Sequence, residues 1–203
     1  MTGMLPRIGL LAIMGLAASS CAAPPVALYA LGAAGGGAAG AAGAPGPMAL
    51  RPDTTVIEVA RVTLPDYLDT QDILVRRGSA LKTSATGRWA SRLSLGATEL
   101  LAARLAGTRP DALVTDQPQT TTPNYRLLVN ISRFDVAAET TGAGRATLEA
   151  DWLLVPRDAA GPTLRSRTSL NAAGPVGSDQ DVVALETTLL SRLADAIDIT
   201  RLK

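Results

Sequence analysis

The sequence predicts an α/β domain of the α+β sandwich type, with a mixed, largely antiparallel sheet and two main helices packed on one face. Three observations predict this fold class. Apolar and polar residues alternate along residues 125–136 and 145–155, as in half-buried strands. Apolar residues recur every three or four positions along residues 93–105 and 182–197, as in amphipathic helices. The resulting order of strands, helix, strands and helix lets both apolar helix stripes share one core.

Strands open the first half of the predicted domain. Residues 53–64 are rich in Val, Ile and Thr and predict a strand. Residues 72–76 and 80–83 predict a hairpin. Trp89 is expected to introduce the first helix and to pack in the core, and Gly107 is placed to cap the C-terminus of that helix.

The second half adds further strands and the last helix. Residues 163–170 predict a strand that follows the two alternating ones. Gly142 and Gly144 precede a strand rather than a helix, so they predict a hairpin turn and not a phosphate-binding loop. The last helix is expected to begin at Ser178, with Asp181 three residues later as in a capping box. Its buried stripe is predicted at Val182, Leu185, Leu189, Leu193 and Ile197.

The charge balance and the residue counts exclude several classes of function. The 203 residues include 19 Lys and Arg against 18 Asp and Glu, and Arg7 is the only charged residue before Cys21, so the chain from Cys21 onwards is neutral. A neutral chain gives no indication of the basic face that nucleic-acid binding requires. The chain has no His and one Cys, which excludes His-dependent triads, His metal ligands and Cys clusters. We therefore expect no catalytic residue, no metal ligand and no cofactor.

The N-terminal residues predict a secretory signal peptide. Arg7 is followed by an apolar run over residues 8–18, which is too short to span a bilayer, where about 20 apolar residues are needed. Small residues then lead to Cys21, and this arrangement resembles the lipobox of bacterial lipoproteins, whose cysteine carries a diacylglyceryl group and an acylated amine. Ala18 stands where the lipobox usually has Leu, so an ordinary signal peptide and a buried lone cysteine are the alternatives. Ala22 in place of Asp indicates the outer membrane by the sorting rule of enterobacterial lipoproteins.

Four segments are expected along the chain. They are a lipoprotein signal peptide (residues 1–20), a lipidated N-terminus with a short strand or docking segment (21–31), an Ala/Gly/Pro-rich flexible linker (32–49) and the main domain (50–203). Within the linker, residues 32–47 are dense in Gly, carry no charge and have no large side chains to bury.

Several short motifs, taken in order, resemble one known family. The chain is similar to the ABC-type transport auxiliary lipoproteins, the PqiC-like group that accompanies MCE-domain lipid transporters in Gram-negative envelopes. The resemblance covers Cys21, Tyr29-Ala30-Leu31, Ile57-x-Val59, Leu64-Pro65-x-Tyr67-Leu68-Asp69, Arg88-Trp89-Ala90, Tyr125-Arg126-Leu127, Phe134-Asp135, Ala150-Asp151-Trp152 and Ala184-Leu185. It implies a non-enzymatic subunit that works with an MCE-domain protein, an inner-membrane permease and an ATPase in lipid transport between membranes.

One turn is the candidate partner-binding site. Leu64, Pro65, Tyr67 and Leu68 combine a rigid proline with the aromatic and aliphatic side chains that are typical of binding hot spots. The alternative is a turn whose Leu and Tyr side chains pack on the domain's own core. Sequence reasoning leaves both open.

Three other groups of residues are assigned structural roles. Trp152 is expected in the core, and packing of Trp89 is favoured over a ligand-binding Arg88-Trp89 pair. Asp66, Asp69 and Asp72 lack the glycine and glutamate of a calcium loop and predict a solvated turn.

Two functions from different classes follow. The first is a lipid-anchored accessory subunit of a transporter, held at a membrane by its N-terminal lipid. The alternative is a periplasmic lipid carrier, which would need an apolar cavity of roughly several hundred Å³. The neutral charge balance is compatible with a homo-oligomer but does not require one.

Overall fold

The computed structural model describes residues 25–31, 51, 53–119, 122–139, 142–157, 161–200 and 202. The predicted signal peptide, Cys21 and the predicted linker at residues 32–49 lie outside the described residues. The elements, in chain order, are β1 (Ala27–Tyr29), β2 (Val56–Val59), β3 (Asp72–Arg77), β4 (Ala80–Trp89), α1 (Leu93–Thr108), β5 (Leu113–Thr115), β6 (Tyr125–Ala138), β7 (Ala143–Pro156), β8 (Leu164–Pro175) and α2 (Asp179–Ala196).

Strand β6 is the centre of the sheet, because three other strands pair with it. One edge of β6 pairs antiparallel with β7, which in turn pairs antiparallel with β8. The other edge is shared, since β2 pairs parallel with the beginning of β6 and β3 pairs parallel with its end, at Arg76 and Ala137. Strand β5 lies outside β2, while β4 and then β1 lie outside β3. The sheet therefore divides into two branches along this edge.

The predicted fold class is confirmed. Within the described residues, four of the seven strand pairs are parallel but short, whereas the two longest ladders, β6–β7 and β7–β8, are antiparallel. Helices α1 and α2 pack on each other and on the sheet. Alternate residues of β7, from Gly144 to Leu154, are buried beneath them. We call the opposite face of the sheet, which carries no described helix, the open face.

A β-bulge in β6 changes which residues face the helices. Leu127, Val129 and Ile131 are buried, as the alternation predicts. The register with β7 then shifts between Ile131 and Arg133, so that Phe134 and Val136 become the buried residues. One extra residue reverses the alternation after it. Arg133 and Asp135 are thereby placed on the open face.

Helix α2 follows the sequence prediction closely. Its N-cap is Ser178, whose side chain accepts a hydrogen bond from the Asp181 backbone N–H, and the Asp181 carboxylate accepts one from the Ser178 N–H. This capping box satisfies two backbone donors that the first turn leaves free. All five residues of the predicted stripe are buried.

Helix α1 differs from the prediction at both ends. Trp89 is the last residue of β4, where it pairs with Tyr29 of β1, and α1 begins only at Leu93. Gly107 lies within the last turn, because the helix continues to Thr108 and its C-cap is Arg109. A capping glycine takes a left-handed conformation, and among the described residues only Gly78 and Gly142 have a positive φ. The three-residue strand β5, which follows α1, was not predicted.

We expect Gly107→Ala to raise the free energy of unfolding by about 1 kcal/mol, because glycine is less favourable than alanine by that amount inside a helix. In the described part of the chain, no atom outside the helix backbone and the neighbouring residues lies within 4 Å of the position that the new Cβ would occupy. Urea unfolding of the domain checks this result. Gly142→Ala is the control of opposite sign, since its φ of +77° is strained for alanine. Equal effects of the two substitutions would contradict the expectation.

Candidate interaction surface on the open face

Exposed apolar side chains are concentrated on the strands of the open face and on the turn that follows β2. Leu28 lies on β1 next to the inward-facing Tyr29, and Val26 directly precedes this strand. Leu81 is the cross-strand partner of Arg76 in the β3–β4 hairpin, and Leu128 lies on β6 between the buried Leu127 and Val129. These four, with Tyr67, are five of the six large apolar side chains that are exposed among the described residues. The open face therefore offers most of the apolar surface available to a partner.

The predicted docking turn is split between the core and the surface. Leu64 and Leu68 are buried, and Pro65 is half-buried. The turn is closed by the backbone N–H of Leu68, which donates to the Pro65 carbonyl at 2.9 Å. Tyr67 is left 45% exposed. The two leucines thus hold the turn on the domain, and Tyr67 is the one of the four predicted docking residues that is exposed.

Of the three carboxylates around this turn, Asp66 is exposed, as in the predicted solvated turn, whereas Asp69 and Asp72 have separate structural partners. The Asp69 carboxylate accepts a hydrogen bond from the Ser94 N–H at the start of α1 at 3.1 Å, and Asp72 pairs with Arg88 at 3.0 Å. Among the described residues, no group of three or more Asp, Glu, His or Cys side chains is arranged to hold a metal ion. The hydrogen bond from the Ser94 N–H to Asp69 fixes the turn to α1.

A chain of alternating charges lies beside Tyr67. Arg76 donates to Asp135 at 2.9 Å, Asp135 also pairs with Arg133 at 3.2 Å, and Arg133 reaches Glu149 at 3.7 Å. The hydrogen bond to Asp135 raises the pKa of Arg76, and the charge of Asp135 and the neighbouring Tyr67 add to that rise against the opposing effect of burial. Arg76 is thus held as a permanent cation next to the exposed ring.

Sequence reasoning missed this charge network because it depends on the bulge in β6. Without the bulge, Arg133 and Asp135 would face the helices. The available signal was the change from apolar residues at odd positions, ending at Ile131, to apolar residues at even positions, beginning at Phe134. A one-residue shift of that kind is the mark of a bulge.

The tryptophans and the neighbouring arginine have structural surroundings. Trp89 and Trp152 are buried in the core, as predicted. Arg88 points to the open face, where it pairs with Asp72.

Two concavities are described on the domain. One, of about 210 Å³, lies between the β3–β4 hairpin and the start of α2 and is lined mainly by polar groups, including Lys82, Thr83, Ser84 and Asp179. The other, of about 10 Å³, lies between β1 and α1. Neither is the apolar cavity that a lipid carrier would need. Neither α1 nor α2 has the length and hydropathy of a membrane-spanning segment.

Comparison with known proteins gives one family and a shared fold. The family model described as "ABC-type transport auxiliary lipoprotein component" matches residues 39–198. A solved structure of an uncharacterized protein is 18% identical, with a TM-score of 0.63 over 85% of this chain and 96% of that one. A structure of a protein from Xanthomonas campestris is 16% identical, with a TM-score of 0.53 over 71% of this chain and 81% of that one. No curated protein is significantly similar in sequence. The structural likenesses establish a common fold.

Proposed function

Because the chain belongs to the family of ABC-type transport auxiliary lipoprotein components, we propose that it is a lipid-anchored periplasmic accessory subunit of an MCE/ABC-type intermembrane lipid transport system that supports envelope integrity. The observation that carries the proposal is the family match over residues 39–198 of the 203 residues. Its partners in this proposal are the MCE-domain protein and the ABC permease and ATPase of the same system.

The proposed anchor is Cys21. Cleavage before this cysteine would leave a lipid-bearing N-terminus, and Ala22 directs the product to the outer membrane by the sorting rule. The first described strand, β1, begins six residues later at Ala27. The domain would then lie close to the periplasmic surface of that membrane.

The proposed role is binding rather than catalysis. The chain has no His and only the one Cys, so the commonest routes to nucleophilic and metal-assisted hydrolysis are closed. The charges beside Tyr67 pair with one another, so they stabilise the surface and give it a charge pattern. A surface of this kind can recognise a protein partner.

The proposed docking residue is Tyr67. Tyrosine, arginine and tryptophan are the residue types that most often dominate binding energy at protein interfaces. Here a tyrosine ring lies beside an arginine. The buried Leu64 and Leu68 and the half-buried Pro65 give the ring a fixed backbone, so little conformational entropy would be lost on binding.

We expect Tyr67→Ala to weaken retention of the MCE-domain protein by about tenfold or more, the loss typical of an interface hot spot. The measurement is a pull-down of the tagged, lipidated protein from solubilised envelopes, with the MCE-domain protein, permease and ATPase quantified. Leu95→Ala is the matched control, because Leu95 is exposed to a similar extent, 39%, but lies on α1 and not on the open face.

Two outcomes count against the proposal in different ways. If the Tyr67→Ala protein has the wild-type free energy of unfolding and still retains the MCE-domain protein fully, Tyr67 is not the docking residue. Absence of the MCE-domain protein and the permease from the wild-type pull-down would contradict the proposed transport role itself.

A further inference from the structure

Strand β1 and the residue before it carry an unusual pair of apolar side chains. Leu28 is 70% exposed and Val26 is 49% exposed, which makes them the two most exposed large apolar residues that the structure describes. Leu28 lies on β1 and Val26 directly precedes this strand, two positions away, which is the spacing of side chains on one face of an extended chain. Together they form a small apolar ridge, which we call the β1 ridge.

The β1 ridge is held firmly on the domain. Strand β1 pairs parallel with the end of β4, with Leu28 opposite Arg88 and Tyr29 opposite Trp89. The Ala90 N–H donates to the Tyr29 carbonyl at 2.7 Å, and Tyr29 and Leu31 pack against the core. The exposure of Leu28 is therefore a property of the folded domain, and Val26 directly precedes this paired strand.

The charged residue directly opposite Leu28 has an ion-pair partner. Arg88, the cross-strand neighbour of Leu28, pairs with Asp72 at 3.0 Å. An unpaired charge at this position would oppose transfer of the neighbouring side chains into an apolar medium. The ion pair removes much of that penalty.

The position of the β1 ridge in the chain indicates what covers it. Val26 is five residues after Cys21, and five residues of extended chain reach at most about 18 Å. We propose that the β1 ridge inserts into the surface of the bilayer that holds the lipid of Cys21, and so fixes the orientation of the domain on the membrane. This inference rests on the proposed lipid anchor and adds to it a second, non-covalent membrane contact.

A protein partner is the competing occupant, and the chain length favours the membrane. A partner would have to reach the β1 ridge within this short distance of the bilayer surface. The lipid surface is present as soon as the protein is anchored, and two aliphatic side chains suit its interfacial region. Tyr67, on the turn after β2, remains available to the protein partner.

A single labelled thiol tests the inference in the full-length protein. Lipidation blocks the native cysteine, so Leu28→Cys supplies the one free thiol for a polarity-sensitive fluorophore. The labelled lipoprotein is placed in vesicles of phosphatidylethanolamine and phosphatidylglycerol, with and without lipids that carry a nitroxide quencher near the headgroup. Leu128→Cys is the matched control, as it is also an exposed leucine of the open face.

We expect the nitroxide to lower the fluorescence of the probe at position 28 by about twofold or more, because an interfacial segment lies within 5–10 Å of the headgroup boundary. The probe at position 128 should change little. Equal and weak quenching at both positions, in a protein whose mass shows the acyl chains, would overturn the β1 ridge as a membrane contact and leave the anchor intact. A probe at position 28 that is shielded only when the MCE-domain protein is added would overturn it in favour of a protein partner. A mass without acyl chains would instead overturn the anchor, and the inference with it.

Discussion

Glu186→Gln is expected to raise the free energy of unfolding by about 3 kcal/mol at pH 7. Glu186 lies on α2 and is buried, and its Oε2 atom has no hydrogen-bond partner among the residues that the structure describes. Burial raises the pKa of this carboxyl to about 8 from an ordinary value of 4.5. The folded protein therefore keeps this proton at pH 7, whereas the unfolded chain releases it.

The sign of the pH dependence follows from that difference. Between pH 4.5 and about pH 8 the folded state binds the proton more tightly than the unfolded state, so wild-type stability falls as the pH rises through this window. Below it, both states are protonated and the penalty is absent. Glutamine has nearly the shape of the protonated acid and does not titrate. The variant should match the wild type near pH 4.5 and exceed it increasingly towards pH 8.

Urea unfolding of both proteins at intervals from pH 4.5 to pH 8 measures this divergence. Glu99→Gln is the control, because Glu99 is an exposed residue of α1 and its substitution removes no buried carboxyl group. Parallel pH profiles for Glu186→Gln and the wild type would show that the carboxyl is solvated or partnered in solution.

The buried Glu186 also shows where sequence reasoning on α2 stopped short. The predicted stripe used the apolar residues alone. Glu186 lies four residues after Val182 and three before Leu189, so its place on the helix is inside that stripe. Treating every residue of the stripe as buried, whatever its type, would have found it. Glutamate is usually exposed, so the apolar pattern alone does not indicate a buried carboxyl at this position.

The parts of the fold that local patterns determine were predicted well. The alternation of β7, the hairpin of β3 and β4 and the capping box of α2 depend on neighbouring residues, and all three are present. Strand β5 and the pairing of Tyr29 with Trp89 depend on residues far apart in the chain. Three-residue strands leave little alternation to read, so their existence follows from tertiary contacts.

The candidate surface shows the same division. The sequence indicated the turn at residues 64–68 but not which of its side chains would be buried. Which side chains are buried depends on the core beneath the turn. Leu64 and Leu68 pack into that core, and Tyr67 stays exposed. Arg76 and Asp135 are distant in sequence and come together only because β3 pairs with the end of β6.

Cys21→Ser is expected to move the protein from the membrane fraction to the soluble fraction almost completely. Each buried methylene contributes about 0.8 kcal/mol, and a single acyl chain gives only marginal binding, so stable attachment requires the further chains that a lipoprotein cysteine carries. The β1 ridge cannot replace them. Fully burying a valine or a leucine contributes roughly 1.5–3 kcal/mol, and both together fall well short of one acyl chain.

Fractionation of cells that produce the wild type, Cys21→Ser and Ala22→Asp separates the anchor from the sorting signal. Ala22→Asp keeps the cysteine, so we expect that variant to stay membrane-bound and to move from the outer to the inner membrane. Since a serine oxygen cannot form the thioether, the Cys21→Ser product should also lack the acyl chains, which its mass reveals. A Cys21→Ser protein that remained wholly with the outer membrane would mean that the folded domain itself, through its open face or a bound partner, holds the protein there.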